Sequence, residues 1–234
     1  MGILRFKPRS DGVQVDDAEA IKAIELEKKR VKRFILPTIL IILLFLVLMV
    51  VSMTSYEWYV ADVTGCEWVD DGVFVPSHFG LLAQQYDLGE MGRGGASYQG
   101  QFEELSHHVI ARNSLYIFLT VFLMSIPFMF LVGRMEDGLE KGGSKWSFLL
   151  PSLVGTTIPF LFYGGLLYFY MGFEDALFND MGEGIDRSTA GYGWPLWILA
   201  SSGPILILAI ALSYWLGWRA TGIIRQDKAD RSGS

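Results

Sequence analysis

Four long apolar segments, separated by polar ones, dominate the chain. They cover residues 34–53, 114–133, 146–171 and 194–218, and none of them contains Asp, Glu, Lys, Arg or His. A helix rises about 1.5 Å per residue, so about twenty residues cross a hydrocarbon core of about 30 Å. Backbone groups find no water partners in lipid, and each span should therefore be helical. The pattern predicts an all-α membrane protein, a bundle of four transmembrane helices.

The basic residues predict which side of the membrane each polar segment faces. Sixteen of the nineteen Lys and Arg residues lie in the segments 1–33, 134–145 and 219–234. The long loop 54–113 carries two basic and nine acidic residues, and the loop 172–193 carries one basic and five acidic residues. By the positive-inside rule, both termini face the cytoplasm and both acidic loops face outside. The net charge of −6 is therefore the sum of a basic inner side and an acidic outer side.

The N-terminal tail 1–33 contains a predicted helix at residues 15–33. Acidic residues fill its early turns and basic residues its late turns, which the helix macrodipole favours. Two interpretations are open. The helix could be amphipathic and lie on anionic lipid, or it could extend the first transmembrane helix into the cytoplasm.

The long outer loop has about sixty residues, which is too many for a structureless connector. Aromatic and β-branched residues alternate with polar ones in residues 55–63 and 66–75, which predicts two or three short strands. The glycine-rich segment 88–100 is expected to be flexible, and residues 101–112 to form a short helix that runs into the second span. The loop should therefore add a small extracellular β-sheet to the helix bundle.

The third and fourth spans are rich in small residues, which let helix backbones approach closely in lipid. We expect the faces that carry them to pack inside the bundle. These residues are Ser152, Gly155, Thr156, Gly164, Gly165, Ala200, Ser201, Ser202, Gly203, Ala209 and Ala211.

Reactive side chains are sparse. Because the spans contain no ionisable residue, a pump or a secondary carrier is not favoured. Three histidines lie in the long loop, His78, His107 and His108, and only the adjacent pair with Glu103 forms a candidate metal site, of poor geometry, since neighbouring helical residues point about 100° apart. Cys66 is the one cysteine, so it is buried and inert, bonded to another subunit or lipid-modified. The sequence predicts neither a cofactor nor an enzyme.

Three local patterns resemble a known family. Trp58 closely follows the first span, "HFGLLAQQ" begins at His78, and "YGWPLWILASSGPIL" begins at Tyr192. With the four-span plan, these resemble the claudin superfamily, which includes peripheral myelin protein and the calcium-channel γ and AMPA-receptor regulatory subunits. The family's first loop carries two cysteines joined in a disulfide, and this chain departs from that pattern.

The resemblance implies that the first outer loop is a recognition surface. The residues it assigns to a partner interface are Trp58, Trp68, Phe79, Gly80 and Leu81. It also places Tyr192, Trp194 and Trp197 at the outer membrane interface, where a ring has one apolar and one wet side. A general aromatic belt would explain those three rings without any family.

Three hypotheses for function follow. The first is an auxiliary or structural subunit, in the plasma membrane, that packs against a channel, a receptor or a like subunit through its spans and first loop. The second is an accessory subunit of a respiratory or photosynthetic membrane complex. The third is a metal-handling membrane enzyme that uses the loop histidines. None of them involves nucleic acid, and the first, which we favour, involves no small-molecule substrate.

Overall fold

The computed structural model describes residues 17–64, 73–89, 92–97, 105–141 and 146–232. These ranges contain four long helices and a small antiparallel sheet. The helices are α1 (Asp17–Thr54), α2 (Ser106–Lys141), α3 (Trp146–Met181) and α4 (Trp194–Ser232). The strands are β1 (Tyr59–Val63), β2 (Val75–Phe79), β3 (Ala83–Asp87), β4 (Arg93–Ser97) and β5 (Ile185–Tyr192).

The four helices form a bundle in which each helix packs mainly against two others. α1 contacts α2 and α4, and α3 contacts the same two helices. Phenylalanine rings fill the middle of the bundle: the ring of Phe162 lies 5.4 Å from that of Phe45 and 6.3 Å from that of Phe118. All three side chains are fully buried, as the dense packing of such rings requires.

Only part of the small-residue pattern faces inward. Ser152, Gly155, Gly165, Ser202, Gly203 and Ala209 are buried, as expected. Thr156, Gly164, Ser201 and Ala211 are exposed on the outside of the bundle, so the expectation was wrong for these four. A small residue in α3 or α4 is therefore not by itself a sign of an inward face.

Every helix continues beyond the apolar segment that predicts it. From Asp17 onward, the tail helix and the first span form one continuous helix, α1, as expected if the tail extends the first span. Ile24 and Val31 of this extension are buried. The Lys32 amine contacts the carboxylates of Glu136 and Glu140 on α2. Since these charged groups are largely exposed, the ion pairs contribute little stability.

Apolar side chains also cover the outside of the bundle. Exposed large residues occur on every helix and include Leu36, Leu40, Leu43, Val47, Leu123, Phe130, Leu153, Phe160, Leu167, Ile207 and Leu208. A water-soluble bundle keeps its outer face polar. Four helices long and apolar enough to cross a bilayer are compatible with an integral membrane protein.

The sheet lies at one end of the bundle, which we call the sheet end. We call the opposite end, where Lys32 and Glu140 meet, the basic end. The strand order is β4-β3-β2-β1-β5, and all neighbours are antiparallel. β1 pairs with β2 from Tyr59 opposite Phe79 to Val63 opposite Val75. The long loop therefore supplies four of the five strands.

Three parts of the loop regions differ from expectation. The glycine-rich stretch expected to be flexible contains β4, which pairs along its whole length with β3. The loop 172–193 contributes the strand β5 at the edge of the sheet. The first ten residues of that loop continue α3 instead, because Phe173, Ala176 and Leu177 recur at helical spacing and are buried.

Candidate functional site at the junction of sheet and helices

Trp58 anchors the sheet to the bundle. It stands directly before β1, only four residues after α1 ends, and its side chain is fully buried. The indole Nε1–H donates a hydrogen bond of 2.7 Å to the backbone carbonyl of Ser52, near the end of α1. Its ring lies 5.5 Å from the ring of Phe118 and 5.1 Å from that of Phe169. One side chain thus joins α1, α2, α3 and the sheet.

A cluster of rings continues this contact under the sheet. Tyr59 lies 5.5 Å from Phe173 of α3 and 5.0 Å from Tyr192 of β5. Phe79 of β2 lies 5.9 Å from Phe173 as well. Tyr192 stacks on Tyr170 at 4.8 Å and donates its hydroxyl hydrogen to the backbone carbonyl of that residue. The inner face of β1, β2 and β5 is therefore fixed on α3 by edge and stacking contacts.

The end of β5 closes against the start of β1. The backbone N–H of Gly193 donates to the carbonyl of Trp58 at 3.0 Å. A Cβ atom at position 193 would lie 1.6 Å from the carbonyl oxygen of Glu57. The next residue, Trp194, donates its indole N–H to the Glu57 carboxylate. Position 193 therefore requires glycine because the two backbones approach so closely.

Asp180, close to the end of α3, caps the start of α2. Its Oδ2 atom accepts the backbone N–H of His107 at 2.9 Å and contacts His107 Nδ1 at 2.7 Å. Because an ionised carboxylate only accepts, His107 Nδ1 must carry the proton. His107 Nε2 is then an unprotonated acceptor in a buried position, and no described residue donates a hydrogen bond to it. The carboxylate also suits the positive end of the α2 macrodipole.

Burial favours the neutral form of both histidines, and both lie outside the apolar segment 114–133. Burial lowers the pKa of His107, although Asp180 opposes the shift. Burial also lowers the pKa of His108, and with the neighbouring His107 brings it to about 4. Burial alone would raise the pKa of Asp180, but the hydrogen bonds from His107 outweigh it and lower that pKa. The lowered pKa values of His107 and Asp180 favour a neutral imidazole beside an ionised carboxylate.

Acidification is expected to destabilise this junction. A histidine whose pKa is lower in the folded state than in the unfolded state makes its full contribution to the free energy of unfolding above the unfolded pKa, about 6.5. That contribution is lost as the pH falls below this value. For His108, at about 4 in the folded state, the loss at pH 5 is about 2 kcal/mol. The melting temperature in detergent should fall between pH 7.5 and pH 5. His108→Asn should flatten this dependence, and an unchanged slope in that variant would contradict the assignment.

The predicted metal site is not brought together in the described part of the chain. Its third candidate, Glu103, lies outside the described residues. Within those residues, no group of three or more His, Cys, Asp or Glu side chains is placed to hold a metal ion. His107 uses one nitrogen on Asp180, and its ring lies 4.2 Å from that of His108. The pair is explained here as a helix cap and a packing contact.

The residues predicted for a partner interface have a different position. Trp58 and Phe79 are fully buried and Leu81 is 1% exposed. Gly80 is also buried, because its turn lies against the backbone of Ser55. Trp68, like Cys66, lies outside the described residues. In the single chain, Trp58, Phe79, Gly80 and Leu81 therefore lie between the sheet and the bundle, and their contact with a partner stays a prediction.

The predicted anchor residues lie at the sheet end of the bundle. Trp194 is 44% exposed and Trp197 is 57% exposed, both on the first turns of α4. Trp197 Nε1 donates to the carbonyl of Tyr192 at 3.3 Å. Tyr192 itself is half-buried in the ring cluster. Two of the three rings thus face outward, while the third belongs to the junction.

Sequence reasoning missed Asp180 and Gly193 as essential parts of this site. The glycine stands within the quoted "YGW" pattern, but nothing in one sequence shows which backbone approaches it. Asp180 lies in an acidic loop, where solvation is the simple interpretation of a carboxylate. No protein-family model and no curated protein matches this chain, and the resemblance to claudins stays a prediction.

Proposed function

We propose that the protein is a non-catalytic integral membrane protein, an auxiliary or structural subunit that packs against a membrane protein partner or another copy of itself. The observation that carries the proposal is the fixed junction between sheet and helices. Trp58, the ring cluster and the closure at Gly193 hold the sheet in one position on the bundle. A sheet held in this way presents a preformed surface beside the membrane.

The aromatic residues support membrane insertion of the bundle. Trp194 and Trp218 are both exposed and lie at opposite ends of the apolar part of α4. They are 24 residues apart, which corresponds to roughly 36 Å along a helix. That distance is slightly more than the hydrocarbon thickness of about 30 Å and matches two interfacial belts. The basic end then faces the cytoplasm and the sheet faces outside.

The proposed partner surface is the apolar tip of the sheet. Val73 and Phe74, just before β2, are 49% and 47% exposed. β2 runs from this tip toward Phe79, which packs on Phe173, so the tip lies at the end of the strand farther from the apolar segments, near the end of α3. Two adjacent exposed apolar residues away from lipid favour contact with another protein.

One experiment tests both the orientation and the partner. Phe74→Cys in a Cys66→Ser background should react with a membrane-impermeant thiol crosslinker in sealed cells, and it should yield a defined adduct with a membrane protein or a second copy. The control is Leu26→Cys, an exposed apolar position on the α1 extension, 65% exposed. It should react only after permeabilisation.

The possible failures of this experiment differ. Reaction of Leu26→Cys in sealed cells would reverse the orientation. A single uncrosslinked species at Phe74→Cys, together with purification as a lone monomer in mild detergent, would reject the auxiliary role. Adducts with a pigment-bearing or redox complex would instead favour an accessory subunit of an energy-converting assembly.

A further inference from the structure

A groove between α3 and α4 opens at the basic end of the bundle. Its volume is about 340 Å³, within the range of small-molecule sites. Phe148 and Leu149 of α3 form one wall, and Tyr214 and Trp218 of α4 form the other. Leu149, Tyr214 and Trp218 are also exposed, so the groove opens toward the outside of the bundle rather than into its core.

A cation stands at the mouth of this groove. Arg225 lines it from the end of α4, and no ion pair joins its guanidinium to another described residue. Helical side chains tilt toward the N-terminus of their helix, so Arg225 leans back toward Trp218, about two turns earlier. The hydroxyl-bearing residues Ser152 and Thr221 line the groove between the cation and the apolar walls. The site therefore pairs a charged rim with an apolar interior.

The basic end strengthens the positive field at this rim. α3 begins there, so the positive end of its macrodipole points to the same side, and its first turn contains no acidic residue. By the positive-inside rule, sixteen of the nineteen basic residues belong to segments that are expected on this side. A ligand that places an anion at the rim and an apolar chain along the groove would satisfy both parts of the site.

We propose that this groove binds an anionic phospholipid of the adjoining leaflet, with its phosphate on Arg225 and one acyl chain between Leu149 and Trp218. Basic pockets between membrane helices bind anionic head groups by the same physics. A free phosphate ion would leave the apolar walls empty. The inference rests on the proposed membrane insertion, and it does not require a protein partner.

Gly222 offers a variant that fills the groove without disturbing the fold. A Cβ atom at this position would meet nothing within 4 Å, although the residue lines the groove. Gly222→Leu should therefore occupy the space of the acyl chain, and leucine is also a better helix former than glycine. Gly164→Leu is the matched control, since position 164 of α3 is likewise helical, exposed and open.

The test compares lipid retention by native mass spectrometry of the full chain in mild detergent. Phosphatidylglycerol and phosphatidylcholine with identical acyl chains are the two probes. The native sequence should retain phosphatidylglycerol preferentially. Arg225→Gln should reduce that preference about fivefold, the factor expected for one basic residue near an anionic surface. Arg33→Gln, an exposed arginine of α1 at the same end of the bundle that does not line the groove, should reduce the preference less than Arg225→Gln.

Gly222→Leu should reduce retention of phosphatidylglycerol, and Gly164→Leu should not. Equal retention of both lipids by the native sequence would overturn the proposal, as would preserved retention in Gly222→Leu and Arg225→Gln. Unchanged crosslinking of Phe74→Cys in these two variants would show that the partner contact stands apart from the lipid site.

Discussion

Replacing Gly193 by alanine is expected to separate the sheet from the helices. The added Cβ would lie 1.6 Å from the Glu57 carbonyl oxygen, and it would meet backbone rather than a flexible side chain. To admit it, β5 must move away from β1, which breaks the hydrogen bond from the Gly193 N–H to Trp58. We expect a loss of about 3 kcal/mol or more, at the severe end of overpacking in a closely packed core.

The measurement is thermal unfolding in detergent. For a chain of this length, the loss corresponds to a fall in melting temperature of roughly 10 °C. Gly191→Ala is the matched control, because a Cβ atom at position 191, two residues earlier in β5, meets nothing within 4 Å. It should change stability by no more than about 0.5 kcal/mol. Equal melting temperatures for the two variants would contradict the closure described here.

The four helices are the part of the fold that the sequence predicts well. In lipid, the backbone N–H and C=O groups of some twenty uncharged apolar residues must form hydrogen bonds with one another, and few conformations other than a helix allow this. The ends of the helices are predicted only in part: α3 and α4 begin where their apolar segments begin, whereas the sequence pattern assigns residues 172–181 to a loop. This extension of α3 carries only a few buried apolar positions, among them Phe173, and its composition resembles that of a loop.

The sheet is predicted only in outline. Residues 59–63 carry the alternating pattern of a half-buried strand, and the structure confirms a strand there. β5 has the sequence "IDRSTAGY", in which only Ile185 is buried, so alternation gives no signal. It is a strand because β1 has a free edge beside it, and that pairing partner is more than 120 residues away in the chain. Pairing over such a distance is tertiary and leaves no local pattern.

The candidate site shows the same limit. An aromatic residue that follows a membrane span can lie at the interface, on a partner or in the core, and its sequence context is the same in all three cases. Trp194 and Trp197 are exposed, whereas Trp58 is fully buried. What distinguishes Trp58 is its position against Phe118 of α2 and Phe169 of α3, which depends on how the bundle is assembled.

Replacing Trp58 by alanine is therefore expected to destabilise the isolated protein. The variant would leave a cavity between α1, α2, α3 and the sheet, and the Ser52 carbonyl would lose the hydrogen bond that it accepts from the indole. Removal of a buried tryptophan costs about 3–5 kcal/mol. Trp58→Phe should lose less, because it keeps most of the ring contacts with Phe118 and Phe169 and gives up the indole N–H.

Trp197→Ala is the comparison that separates a structural role from a partner role. Its indole is 57% exposed, so its removal should lower stability by no more than about 1 kcal/mol. The two variants should be compared by melting temperature in detergent and by protease resistance of the sheet in the purified protein. If Trp58→Ala has the same melting temperature as the native protein but no longer allows the Phe74→Cys adduct to form, Trp58 contacts the partner directly. Loss of stability in the absence of any partner instead places Trp58 as the residue that holds the recognition surface in position.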